Sequence, residues 1–152
     1  TDMPGKSVFW KLHFKELYHL VYSEYGEMYH LTETEMEILL FLRDDSAYNT
    51  ARDICMMRGI AKSNVSNGIR MLERKGYVRI QIDETNKKIH RLFLTEKSRI
   101  IADVLYKAQK DCLAKILDGI SEEELAGIYR FFEKCDANIQ KELSRLKSKD
   151  NQ

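Results

Sequence analysis

The sequence predicts a mainly α fold that carries one small β-hairpin. Three observations set that class. Apolar residues recur at helical spacing along most of the 152 residues. The period changes to alternation only between Tyr77 and Leu94. One proline and seven glycines leave little room for a loop-rich β protein. The length fits one compact domain, or one whose arms borrow a partner's core.

Each element has its own signal. Residues 7–25 read as a first helix, with Ser7 as its cap and Gly26 as a left-handed terminator. Thr32 and Glu35 make a capping box for a second helix, in which Met36, Leu39, Leu40 and Leu42 follow before an end near Asp44–Asp45. Thr50 with Asp53 caps a short third helix over 51–57, closed by Gly59. A fourth runs from Lys62 to Lys75 and stops at Gly76, with Val65, Ile69 and Leu72 inward. Tyr77–Ile82 and Ile89–Leu94 then alternate around the polar, turn-prone stretch from Asp83 to Lys88. Thr95 caps a long helix reaching about Leu117, with Ile101, Leu105, Ala108, Cys112 and Ile116 on one face. Ser121 and Glu124 open the last helix, whose stripe is Leu125, Ile128, Phe132, Cys135, Ile139, Leu143 and Leu146, with a fraying polar tail beyond.

The net charge of +1 hides a segregation. Between Arg58 and Arg91 stand nine bases (Arg58, Lys62, Arg70, Arg74, Lys75, Arg79, Lys87, Lys88, Arg91) and three acids. Of the totals of 25 bases and 24 acids, 16 and 21 remain for the rest of the chain. A basic middle between acidic flanks is the footprint expected where a polyanion docks. No uncharged run exceeds seven residues, so no membrane span of ~20 apolar residues is expected. The opening residues show no basic segment followed by an apolar run, so no secretory signal is expected. Three unclustered cysteines, Cys55, Cys112 and Cys135, fit a reducing compartment, hence the cytoplasm.

Three short helices followed at once by a basic hairpin is the order of a winged helix-turn-helix, here joined to a helical dimerisation region. A B-DNA major groove admits one helix, and a helix packed across it fixes the angle of entry. The outward residues of the fourth helix are Lys62, Ser63, Ser66, Asn67, Arg70 and Arg74. Ser63, Ser66 and Asn67 suit base edges, while Lys62, Arg70 and Arg74, with Lys87 and Lys88 of the hairpin tip, suit phosphates or the minor groove.

Leu31-Thr32 with Glu35, Ile60 to Ser66, Leu72 to Val78 and Leu94 to Lys97 together resemble the MarR family of bacterial transcription regulators. The resemblance extends over essentially the whole chain. It implies a homodimer clasped by the first and last helices, bound to a pseudo-palindromic operator in double-stranded DNA. For many members it also implies release by a small, often phenolic, effector, and hence a repressor. The chain departs from the family at Asn86-Lys87-Lys88, where relatives carry Asp-X-Arg, at Asn67 and Gly68, where relatives often carry arginine and a large apolar residue, and at Ala61, which cannot cap. The division expected is 1–30 for the N-terminal dimerisation helix, 31–95 for the DNA-binding domain and 96–152 for the C-terminal dimerisation helices.

The aromatic stripe Trp10, Phe14, Tyr18, Tyr22, Tyr25 and Tyr29 has two readings: dimer-core packing, or one wall of an aromatic effector site. On the second, which rests mainly on the resemblance, the pocket comprises Trp10, His13, Phe14 and Tyr18 facing Met36 and Leu40. Cys112 and Cys135 lie on apolar stripes and read as small hydrophobes. The four histidines lack paired ligand spacing, so no metal is expected. No glycine-rich phosphate loop, nucleophile elbow or HExxH occurs, so neither catalytic residues nor a cofactor are expected. The alternative to a DNA-binding regulator is a winged-helix interaction module whose basic face meets an acidic protein.

Overall fold

The computed structural model describes residues 13–44 and 47–149. Helices α1 (Phe14–Tyr29), α2 (Glu33–Leu42), α3 (Ala51–Arg58) and α4 (Lys62–Arg74) precede strands β1 (Val78–Ile82) and β2 (His90–Leu94), and helices α5 (Glu96–Ile116) and α6 (Glu122–Lys149) follow. The mainly α class with one antiparallel hairpin is therefore the observed one. The chain divides at Asp111–Cys112 into two compact units, so α5 crosses the boundary. Ser7 and the start of the expected first helix lie outside the described residues.

Gly26 does not end α1. The helix continues to Tyr29 and closes at His30, whose φ of 54° is left-handed. The chain then folds back so that the Leu31 N–H reaches the Gly26 carbonyl at 3.0 Å. A Cβ on Gly26 would lie 2.8 Å from the Leu31 carbonyl oxygen, so the glycine serves close backbone approach rather than termination. The second helix also ends earlier than expected, at Leu42.

Local capping governs the next elements. Thr32 Oγ1 accepts from the Glu35 N–H, and the Glu35 carboxylate accepts from the Thr32 N–H. Thr50 and Asp53 repeat the device for α3, which Gly59 closes at φ 64°. Helix α4 ends in a Schellman turn: the Tyr77 N–H reaches Leu72 O at 2.8 Å and the Gly76 N–H reaches Glu73 O at 3.0 Å, with Gly76 at φ 73°. The core then gathers Ile38 and Leu39 of α2, Ile54 of α3, Val65 and Leu72 of α4, Leu92 and Leu94 of β2, and Leu105 of α5.

In the hairpin, Val78 pairs with Leu94, Ile80 with Leu92 and Ile82 with His90. Val78, Leu92 and Leu94 are buried, while Arg79 and Phe93 occupy the other face. Ser98, itself fully buried, donates to Tyr77 O and ties the hairpin to the start of α5. Arg43 donates to Asp103 at 2.8 Å and lies over the Tyr106 ring, tying the end of α2 to the same helix.

Helix α6 opens on the expected box, with the Ser121 N–H on the Glu124 carboxylate and the Glu124 N–H on Ser121 Oγ. It runs to Lys149, past the point where the sequence suggests fraying. No residue along it is buried. Ile128, Phe132, Ile139, Leu143 and Leu146 stand exposed in a row. Among the described residues no helix is long and apolar enough to cross a membrane.

Candidate nucleic-acid interface

All eight residues expected to meet DNA are exposed: Lys62, Ser63, Ser66, Asn67, Arg70 and Arg74 on α4, and Lys87 and Lys88 at the hairpin tip. The buried side of α4 is Val65, Gly68, Ile69 and Leu72, so the helix turns its polar residues outward. Ala61 supplies no side-chain cap, which leaves the first N–H groups of α4 without one. A Cβ on Gly68 would lie 2.7 Å from Ile38 Cδ1 and 3.4 Å from Thr34 Cγ2. The glycine therefore lets α4 press against α2. Beside this crossing lies a shallow cleft of about 290 Å³ bordered by Thr34, Asn64, Asn67 and Met71.

The bases of the segment sort into two groups. Lys75 donates to Glu35, which is only 3% exposed, at 2.9 Å and to His30 O at 2.7 Å. Arg58 lies 3.8 Å from Glu37 and over the Phe41 ring. Burial pushes the Glu37 carboxyl up, and Arg58 opposes that shift. Arg79 donates to Gln81 and covers Phe93. Arg91 donates to Asp83, Ala47 O and Asn49 Oδ1. The other five, Lys62, Arg70, Arg74, Lys87 and Lys88, make no side-chain hydrogen bond, ion pair or ring contact among the described residues. They are the five that sequence reasoning assigns to phosphates or the minor groove.

The hairpin tip is an ordered loop. Asp83 Oδ1 accepts from the Thr85 N–H, the Thr85 hydroxyl and the Asn86 N–H, while Oδ2 takes Arg91 Nε at 3.0 Å. Asn86 in turn accepts from the Lys88 N–H. The Thr85 hydroxyl, then Arg91 and the two backbone donors, hold the Asp83 carboxyl well below the usual carboxylate range. Charge counting misses this role for Arg91. The Asp83-X-Thr85-Asn86 turn is readable from sequence. Its connection to Ala47 and Asn49 is not, because those partners lie 44 and 42 residues away.

The residues expected to line an effector site are distributed differently. Trp10 lies outside the described residues, and the Phe14 side chain is not among those described. His13 is exposed and lies 3.4 Å from Glu16. Tyr18 stacks on Tyr22 with ring centroids 6.0 Å apart. Met36 and Leu40 are buried in the core. A cleft of about 310 Å³ between α1 and α2 is bordered by His19, Tyr22, Gly26, Leu31, Glu33 and Met36, and shares only Met36 with the expected wall. The described residues contain no group of three or more acids, histidines and cysteines that could hold a metal.

Comparison with known proteins agrees with this geometry. Residues 30–89 match the model of the MarR family, a family of transcription regulators rather than enzymes. An uncharacterized HTH-type transcriptional regulator of Bacillus subtilis (strain 168), YybA, is 27% identical over 88 residues, which are 58% of this chain and 59% of YybA. The chain thus spans about three fifths of the length of that curated relative. Among solved structures, a MarR family transcriptional regulator from Listeria monocytogenes complexed with 26mer DNA aligns with a TM-score of 0.71 at 22% identity, over 82% of each chain. A MarR protein from Peptoclostridium difficile aligns at 0.73 and 16% identity, over 93% of this chain and 91% of its own. At these identities the two structures show a shared fold.

Proposed function

We propose, from the match of residues 30–89 to the MarR family model, that the chain is a dimeric, sequence-specific, DNA-binding transcription regulator of the cytoplasm. The observation that carries the proposal is the division of the bases. Within Arg58–Arg91 four are engaged by the protein itself, and five are left on α4 and the hairpin tip. Unpaired, exposed cations on an inserted helix and an adjoining wing suit phosphates at two neighbouring grooves. Ser63, Ser66 and Asn67 lie among them as hydroxyl and amide donors for base edges. The Listeria monocytogenes relative, complexed with DNA, supports the same use of the fold.

Dimerisation through α1 and α6 is part of the proposal, because no member of the apolar row of α6 is fully buried among the described residues. Residues 1–30 and 96–152 are then the dimerisation regions around a DNA-binding domain at 31–95. A repressor role with release by a small phenolic ligand follows from the family resemblance alone. The test is selection of duplexes by the protein from a random library, followed by a protection footprint. A two-fold-related footprint supports the reading. Absence of selection, with tight binding to an acidic protein, would favour the interaction-module alternative.

A further inference from the structure

The wing carries a device that the basic-patch reading hides. Its lower half packs through Val78, Leu92 and Leu94, all buried. Towards the tip that packing ends: Ile82 and His90 are exposed. An open cleft of about 710 Å³ lies where Lys88, Ile89 and His90 face Tyr48, Ala51 and Arg52. Polar bonds join the hairpin to the loop before α3 beside the cleft. The Leu92 N–H reaches Asn49 O at 2.8 Å, and Arg91 Nη1 reaches Ala47 O and Asn49 Oδ1, each at 3.0 Å. The same guanidinium holds Asp83 through Nε. Asp83, whose side chain is 16% exposed, uses its second oxygen to order Thr85 and Asn86. A continuous chain of bonds therefore leads from the loop before α3 to the residues adjoining Lys87.

We infer that Arg91, with Asp83 and Asn49, is a positioning residue for DNA recognition: it latches the wing to the loop before α3 and fixes where Lys87 and Lys88 meet the duplex, without touching DNA itself. This inference rests on the DNA-binding reading above. A guanidinium suits the task because its planar fork serves several acceptors at fixed angles, which an ammonium cannot do. A wing held at one angle meets the backbone with its ordering entropy already lost, so binding is tighter for the same contacts.

The test separates position from charge. Wild type, Arg91→Gln, Asp83→Asn and the double replacement Lys87→Gln/Lys88→Gln are titrated over a salt series. Each is measured against a duplex selected by the wild type and against a random-sequence duplex. Asp83→Asn retains the oxygen that orders the turn and loses the ion pair, so it checks the latch if Arg91→Gln fails to fold. Expected for Arg91→Gln and Asp83→Asn is a loss of roughly tenfold on the selected duplex, comparable with one well-placed base pairing. Their salt slope should stay close to wild type, because both lysines keep their charge. The random duplex should lose affinity as well but by no more than the selected one, and combining the two replacements should add little further loss. The double lysine variant should flatten the slope on both duplexes. If Arg91→Gln flattens the slope while Asp83→Asn changes nothing, Arg91 meets phosphate directly and the latch is overturned. A reading independent of DNA comes from residual dipolar couplings of the Thr85–Lys88 N–H groups in free protein. In wild type they should fit the alignment tensor of α4, and in the two latch variants they should not. Wild-type couplings that need a separate tensor overturn the latch, whereas failure to bind any duplex overturns the DNA-binding reading and leaves that coupling test in force.

Discussion

A Cβ on Gly68 would meet Ile38 Cδ1 at 2.7 Å, so Ile38, which is fully buried, would have to shift to admit a side chain. Alanine would gain about 1 kcal/mol of helix propensity but overpack the α2–α4 crossing, typically by ~1–3 kcal/mol. Gly68→Ala should therefore lower stability to denaturant. Ile38→Val removes the methyl group concerned and alone costs about 0.5–1.5 kcal/mol. Combined, the two should lose less than the sum of their single effects; strict additivity would contradict the close approach. Asn67, one position earlier, is exposed, and the proposed reading assigns it to recognition. Asn67→Ala should weaken a selected duplex by ~1–3 kcal/mol and a random one hardly at all, and equal loss on both would remove it from base reading. From sequence Gly68 reads only as an unfavourable helical residue, because Ile38 and Thr34 meet it through tertiary packing. Gly26 misleads in the same way. Its apparent terminator role belongs to His30, a non-glycine residue in left-handed conformation, and the fold-back of Leu31 explains the glycine.

At the level of elements, whatever rests on neighbours in the chain is legible. The boxes Thr32–Glu35, Thr50–Asp53 and Ser121–Glu124 each close over three residues, so the sequence pattern states the bond. The inward row Val65, Ile69 and Leu72 is legible for the same reason. Helix ends set by fold-back or by distant partners are not, which is why α1 runs further and α2 stops sooner than their patterns suggest. Helix α4 lacks a cap at Ala61. Ala61→Ser should add about 0.5–2 kcal/mol, read as a shift in the denaturant midpoint with an unchanged slope. No shift would mean that the α4 N-terminus already has a partner. The wing makes a pH prediction. Asp83 is held below its ordinary value first by the Thr85 hydroxyl, then by Arg91 and the backbone donors. Its contribution is therefore complete above the unfolded value of ~3.9 and is lost as pH falls through the lower folded value. The Asp83 carboxyl carbon should still report an ionised group at pH ~3.9, and Arg91→Gln should move its midpoint upward. An ordinary midpoint in wild type would contradict the ordered tip.

Across the whole molecule, the charge segregation visible in the sequence becomes meaningful only after the paired bases are set apart. The count of nine bases over Arg58–Arg91 overstates the docking face by the four the protein uses for itself. The apolar row of α6 makes a separate prediction, that the protein sediments as a dimer at micromolar concentration; a folded monomer there would contradict it. The central claim is that the five remaining bases form the DNA face. It is tested most directly by the salt dependence of binding to a selected duplex, with each of Lys62, Arg70, Arg74, Lys87 and Lys88 replaced in turn by glutamine, and Arg58, Arg79 and Arg91 replaced as controls. The slope of log K against log salt should flatten by about 0.9 for each DNA phosphate that a replacement in the first set leaves without its cation. In the second set it should hold at its wild-type value. Equal flattening in both sets, or none in the first, would contradict the assignment.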